Sequence, residues 1–228
     1  MFEAQKLEII KAGMKLDRYG LISLAGGNLS MRMPSGEILV TPSGMIYEEM
    51  VADDMIVMDL QGNRIEGERK SSSDTAAILY IFNHRPDVNA IIHTHQPYAT
   101  AISLLEGETE FRADLTTLGN ACGGNVPITP YSSAGSEDMG RDTVEYLGKG
   151  HAVILAHHGV MTTGDSLKQA LNAAVYLEEC AKGYLAARAV GPIRHLTDAQ
   201  IQQTVEIYKF VGQGHGEIPK ELLGREGL

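Results

Sequence analysis

Asn89-Ala90-Ile91-Ile92-His93-Thr94-His95 is the stretch on which the fold turns. Its β-branched and apolar residues predict a buried strand. Pro86 ends a helix predicted over 73–84, and a second helix is predicted over about 97–105, so the strand lies between two helices. Upstream, Leu7, Ile10, Met14 and Leu16 give a helical period over 2–19, stopped by Gly20. Residues 28–33 and 37–41 read as strands around the turn Pro34-Ser35-Gly36, and 55–59 and 64–66 read as two more around Gln61-Gly62-Asn63. Downstream come a short edge strand at 126–129, a helix over 136–148, and strands 152–157 and 159–162 separated by a break. The longest helix is predicted over 166–189, and a last one over 197–210 with Thr197 as its N-cap. Hairpins occur, and helices do not separate every pair of strands. The expected fold is therefore a single α/β domain over 1–228, its mixed or mainly antiparallel sheet sandwiched by helices. Its core spans about 5–212, and the glycine-rich, polar tail at 213–228 is expected to be loose.

Composition removes several functional classes. The chain has 228 residues, 29 acidic and 19 basic, for a net charge of −10. Nucleic-acid binding needs a basic face, because phosphate contacts dominate that affinity, and no basic run is present. No apolar run approaches the roughly 20 residues of a membrane span. The two cysteines, Cys122 and Cys180, are far apart and read as small buried residues; they form neither a disulfide framework nor a CxxC pair. With no signal-peptide pattern at the N-terminus, the cytoplasm is the expected location.

Against this plain background the histidines stand out. On a strand, His93 and His95 point to the same face and could chelate a metal together. The same pair could also be core histidines meeting backbone and carboxylate partners. His157-His158-Gly159 closes another apolar strand, a poor place for polar rings unless something binds them. Only one of those two histidines can face the first pair, which would give three imidazoles with open coordination positions. Asp74 follows Ser71-Ser72-Ser73 at a predicted helix start, where serine and aspartate are ordinary caps. Three serines exceed what one cap needs, and a helix N-terminus with hydroxyls can also hold a phosphate. Asp74 would then have to turn away from the anion, toward the metal. Gly26-Gly27-Asn28-Leu29-Ser30 and Thr41-Pro42-Ser43-Gly44 are glycine-bearing turns that could complete such a cradle.

Taken in order, Gly27-Asn28-Leu29-Ser30, Thr41-Pro42-Ser43-Gly44, Ser72-Ser73-Asp74, His93-Thr94-His95 and His157-His158-Gly159 resemble the class II aldolase/adducin family. The resemblance covers about residues 5–212. It implies a three-layer α/β/α fold with a central, mainly antiparallel sheet, and a homotetramer with active sites between subunits. It implies Zn2+ on His93, His95 and His158, with Asp74 as acid/base and metal neighbour; Mn2+, Fe2+ or Co2+ would suit the same donors. It further implies a sugar phosphate bound by Asn28, Ser43, Gly44, Ser72 and Ser73.

Two branches of the family compete. Gly123-Gly124-Asn125 and Pro130-Tyr131 look like L-fuculose-phosphate aldolases, which cleave a ketose 1-phosphate to dihydroxyacetone phosphate and an aldehyde. Asp74 matches L-ribulose-5-phosphate 4-epimerases, since the aldolases carry glutamate there. The epimerases' catalytic aspartate is replaced here by Asn120. The tyrosine that both branches place before the C-terminal glycine is Val211, and the aldolases' mid-chain tyrosine falls near Thr117. Tyr208, one turn earlier, is the candidate replacement proton donor. A third, non-catalytic reading is an adducin-like interaction domain, which would be expected to lack the metal residues. A decarboxylase or dehydratase on the same metal site stays open.

Overall fold

The computed structural model describes residues 1–211 and 216–224. Nine strands form one sheet in the order β4-β3-β2-β1-β5-β9-β8-β7-β6. They are β1 (Asn28–Arg32), β2 (Ile38–Val40), β3 (Ile56–Met58), β4 (Arg64–Glu66), β5 (Ala90–Thr94), β6 (Glu110–Phe111), β7 (Val126–Thr129), β8 (Ala152–Leu155) and β9 (Gly159–Gly164). β7 and β8 pair in parallel and the other neighbours are antiparallel, as the hairpin pattern predicts. The helices are α1 (Glu3–Arg18), α2 (Thr75–His84), α3 (Pro97–Ile102), α4 (Thr116–Cys122), α5 (Glu137–Leu147), α6 (Leu167–Val190) and α7 (Asp198–Tyr208).

The decisive stretch, β5, sits at the centre between β1 and β9, and every one of its residues is buried. Alternation sends Ile91 and Ile92 into different layers. Ile91 packs with Ala77, Ile78 and Ile81 of α2 and Met139 of α5. Ile92 packs with Ile9 and Leu16 of α1 and with Ala170 and Ala174 of α6. A third cluster joins α3, α4 and α6 to β8 and β9 through Ala99, Ile102, Leu118, Leu177, Ile154 and Val160. The result is three layers, with α2 and α5 on one face of the sheet. The far end of α2 is tied down by Arg32, whose guanidinium donates to the carbonyls of Phe82, Arg85 and Val88.

The structure differs from the expected elements in several places. The two-residue β6 and the short α4 are additional; Thr116-Thr117-Leu118-Gly119-Asn120 is a poor helix former by propensity, and packing on α6 and α7 overrides it. α3 stops at Ile102, short of residue 105. β8 stops at Leu155, so His157 lies in a tight turn and not on a strand. In the expected tail, Lys220–Leu223 forms a 3-10 turn whose Leu222 carbonyl accepts from Gln203 of α7; residues 212–215 and 225–228 lie outside the described residues. Cys122 and Cys180 are free and buried. Among the described residues, no helix is long and apolar enough to cross a membrane.

Candidate metal centre

Sheet register assembles the centre. His93 follows Ile91 onto the α2 face, and its direct partners are Asn28 on β1 and Met161 on β9. α2 begins at that same face, so Asp74 arrives beside both. Asn28 Nδ2 donates to Asp74 Oδ2 at 2.6 Å, and that carboxylate oxygen lies 3.8 Å from His93 Nε2. The Asp74 carboxylate makes no N-cap hydrogen bond to α2 and faces Asn28 and His93. Among the described residues, Asn28 Oδ1 is buried with no partner.

His95 lies one residue beyond the end of β5, and its Nε2 is 3.1 Å from that of His93. His158 joins them from the β8–β9 turn, its ring centroid 4.8 Å from His93 and 5.2 Å from His95. One atom from each ring can be chosen so that all three lie within 4.8 Å of one another. His158 faces the pair because His157 takes a left-handed backbone conformation at φ 60°, not because of strand alternation.

Glycines clear room for the rings. A Cβ on Gly159 would sit 2.4 Å from the Thr94 carbonyl oxygen and 3.3 Å from ring atoms of both His93 and His95. At Gly27, φ is +75° and a Cβ would come within 2.4 Å of the His93 carbonyl oxygen. These are close approaches that only glycine permits.

Burial weakens the proton affinity of two of the imidazoles, His93 and His158. Burial pushes the His93 pKa down to about 4, against the opposing pull of the Asp74 carboxylate. His158 is also lowered, by burial and then by His95. His93 Nδ1 lies 2.8 Å from the Val160 carbonyl oxygen. With the proton held there, Nε2 presents its lone pair to the cluster. Three imidazoles, an adjacent carboxylate and no thiolate form a donor set that fits Zn2+, Mn2+, Fe2+ or Co2+. Ring nitrogens 3.1 Å apart are at a spacing that one cation with bonds of about 2.1 Å spans.

The other predicted residues form a surface beside the centre. Leu29 N–H donates to Thr41 Oγ1, Ser72 N–H donates to the Thr41 carbonyl and Ser43 N–H donates to the Lys70 carbonyl. These bonds lay the Thr41–Gly44 turn alongside Ser71–Asp74. Ser43, Gly44 and Ser73 are exposed there. Ser72 is buried, and its hydroxyl accepts from the Asp74 N–H, so it shapes the turn. Asn28 is buried against Asp74 and is not exposed with the serines. A residue the sequence reading passed over is Gly135, where a Cβ would lie 2.9 Å from the Ser73 carbonyl oxygen and 3.8 Å from Asp74 Oδ1. It sets the 130–135 loop against the start of α2; a glycine in a polar Ser-Ser-Ala-Gly-Ser run was the available signal.

Tyr208 stands elsewhere. It lines a cavity of about 280 Å³ with Thr117, Asn120, Asn172, Tyr176 and Val211, and none of the three histidines borders that cavity. The positions where this chain departs from the two branches, Thr117, Asn120 and Val211, thus come together around Tyr208. Tyr176, a second phenol there, lies on α6, and helical periodicity alone gave no reason to select it.

Residues 7–185 match the family model described as the class II aldolase and adducin N-terminal domain. A 5-deoxy-D-ribulose 1-phosphate aldolase from Bacillus thuringiensis serovar kurstaki is 31% identical over 214 residues, covering 93% of this chain and 99% of its own length. The solved structure of an L-fuculose 1-phosphate aldolase superposes with a TM-score of 0.84 at 33% identity, covering 90% of this chain and 96% of that one. YgbL of Klebsiella pneumoniae, for which aldolase, epimerase and decarboxylase are all offered, superposes with a TM-score of 0.80 at 31% identity, covering 90% and 99%.

Proposed function

The chain belongs to the class II aldolase and adducin family, and from that premise we propose that it is a metal-dependent sugar-phosphate aldolase. The reaction is the reversible retro-aldol cleavage of a ketose 1-phosphate to dihydroxyacetone phosphate and an aldehyde. The observation that carries this reading is the convergence of His93, His95 and His158, with the Asp74 carboxylate 3.8 Å from His93, next to an exposed turn of hydroxyls. The Bacillus thuringiensis relative and the superposed solved structure are both named as aldolases of sugar 1-phosphates, which favours the same substrate class.

His93, His95 and His158 would hold a divalent cation, zinc by preference, with Asp74 as its neighbour. When bound, the cation supplies Lewis-acid stabilisation of the negative charge left as the carbon–carbon bond breaks. Ser43, Gly44 and Ser73 offer hydroxyl and N–H donors to the phosphate, and Ser72 holds their turn in shape. Asn28 orients Asp74 through its 2.6 Å hydrogen bond, and Asp74 moves the proton at the reacting carbon or hydroxyl. Tyr208 is the proposed proton donor to the leaving fragment. Its cavity lacks the histidines of its own chain, so it would serve the centre of a neighbouring copy in a homotetramer. Mixing His93→Ala subunits with Tyr208→Phe subunits tests this, because sites shared between subunits regain activity and sites within one subunit do not.

A coupled assay for dihydroxyacetone phosphate release across a panel of ketose 1-phosphates tests the activity, with metal analysis of the purified protein. The second reading is a pentulose-phosphate 4-epimerase, favoured by aspartate at position 74. Conversion of ribulose 5-phosphate to xylulose 5-phosphate without any dihydroxyacetone phosphate would select it. A protein free of stoichiometric metal and indifferent to chelator would be the adducin-like, non-catalytic kind.

A further inference from the structure

We infer that α3 is a brace setting the span between His95 and His158, with Glu178 and Ser103 as the positioning residues that fix its two ends. This rests on the metal-centre reading above and adds to it the device that holds two of the donors apart.

α3 begins two residues after His95 and ends just before Ser103. At its start, Glu178 of α6 has no solvent exposure, and its two carboxylate oxygens accept from the Tyr98 and Ala99 N–H groups at 3.1 and 2.9 Å. Those first-turn N–H groups have no partner within a helix. Gln96, equally buried, donates from Nε2 to the Ala174 carbonyl at 2.6 Å. The chain leaving His95 is thus fastened to α6 at three successive points. At the other end, Ser103 Oγ donates to the Thr100 carbonyl at 2.7 Å and accepts from the His157 N–H at 3.0 Å. His157 is the left-handed residue whose conformation turns His158 inward. Ala99 and Ile102 bury the body of α3 against Val160, Leu177 and Ala181.

A carboxylate wholly out of water is costly unless its partners repay it. The backbone groups Glu178 binds belong to a helix of six residues, too short to persist by itself. Holding that helix fixes where His95 leaves the sheet. The Ser103 bond then carries the same reference to the turn bearing His158. His93 needs no such help, because the sheet register and the Val160 carbonyl already hold it.

The test measures Co2+ affinity by competition with a chromophoric chelator, together with the visible spectrum of the Co2+ protein and the melting temperature of the metal-free protein. Ser103→Ala and Glu178→Gln are expected to weaken Co2+ binding about 10- to 100-fold and to shift the ligand-field bands. Ser103→Thr, which keeps the oxygen, should return to within about threefold of the starting affinity. Thr197→Ala, which removes the cap of α7, should lower the melting temperature and leave the affinity alone. If the unaltered protein binds Co2+ and both brace variants bind it equally well, the brace is wrong and the metal centre stands. The brace is equally wrong if Thr197→Ala weakens binding as much as Ser103→Ala does. If the unaltered protein binds no Co2+, the metal centre fails and takes the brace with it. Should Glu178→Gln not fold, the Ser103→Ala and Ser103→Thr pair decides alone.

Discussion

The metal centre and the Tyr208 cavity are built by different means. His93 and Asn28 are adjacent because β1 and β5 pair, and Asp74 reaches them because α2 packs on that face. The cavity is lined by side chains from α4, α6 and α7 and the segment after α7, with no strand residue among them. In the first region His93, Asn28 and Asp74 are buried, with His95 exposed at the edge, whereas Tyr176 and Val211 are 42% and 47% exposed. His93 and Asn28 of the candidate centre sit where backbone pairing sets positions. The surface that departs from the family's pattern sits on helix faces, where substitution costs the fold little.

The largest expected effect comes from breaking the sheet-built region. His93→Ala should lose stoichiometric metal and about 10³-fold or more in aldolase rate, read by metal analysis and dihydroxyacetone phosphate release. A variant that keeps its metal would show that His93 is a core histidine after all. Asp74→Asn keeps the shape and removes the base. It should retain metal while the turnover rate falls about 10²- to 10³-fold, and an unchanged rate would move the proton transfer to another group. On the cavity side, Tyr208→Phe should lower turnover up to about 10²-fold with no change in melting temperature. Tyr176→Phe should stay near the unaltered rate, and the reverse pattern would reassign the donor to Tyr176. Gly159→Ala tests the close approach at the centre, and urea denaturation should show a loss of about 2 kcal/mol. A neutral result would mean the strand can shift without cost.

The smallest effect concerns pH. An unfolded histidine binds its proton below about 6.5, and folded His93 binds it only below about 4. Between those values the unfolded chain holds more protons, so the metal-free protein should lose stability as pH falls through that window. Urea midpoints at pH 7 and pH 5 check the sign. A midpoint that rose on acidification would contradict the depressed pKa.

Much of this was legible in the sequence because it rests on short-range pattern. Ile91 and Ile92 gave the buried strand, and the i, i+2 spacing of His93 and His95 placed both rings on one side. Asp74 was legible as more than a cap from the surplus of serines before it. Strand alternation admitted only one of His157 and His158, and the family resemblance chose His158; the turn at His157 is what brings it in, and a left-handed histidine has no single-sequence signature. α4 stayed hidden because threonine, glycine and asparagine form it only when packed. The roles assigned above to Glu178, Gln96 and Ser103 were invisible because each depends on a contact with a segment 54 to 80 residues away.

α2 carries an asymmetry with a cost. The residue that caps its start, Asp74, is of the type that seals a helix, yet its carboxylate is turned to Asn28 and His93. Forgoing that seal gives up about 1 kcal/mol. The opposite end is over-secured, with Arg32 donating to three carbonyls there. The helix behaves like a lever clamped at its tail so that its tip stays free for chemistry. Selection for thermal resistance alone, with no demand for turnover, should therefore favour serine at position 74. Such a protein would outlast its parent on heating and catalyse nothing.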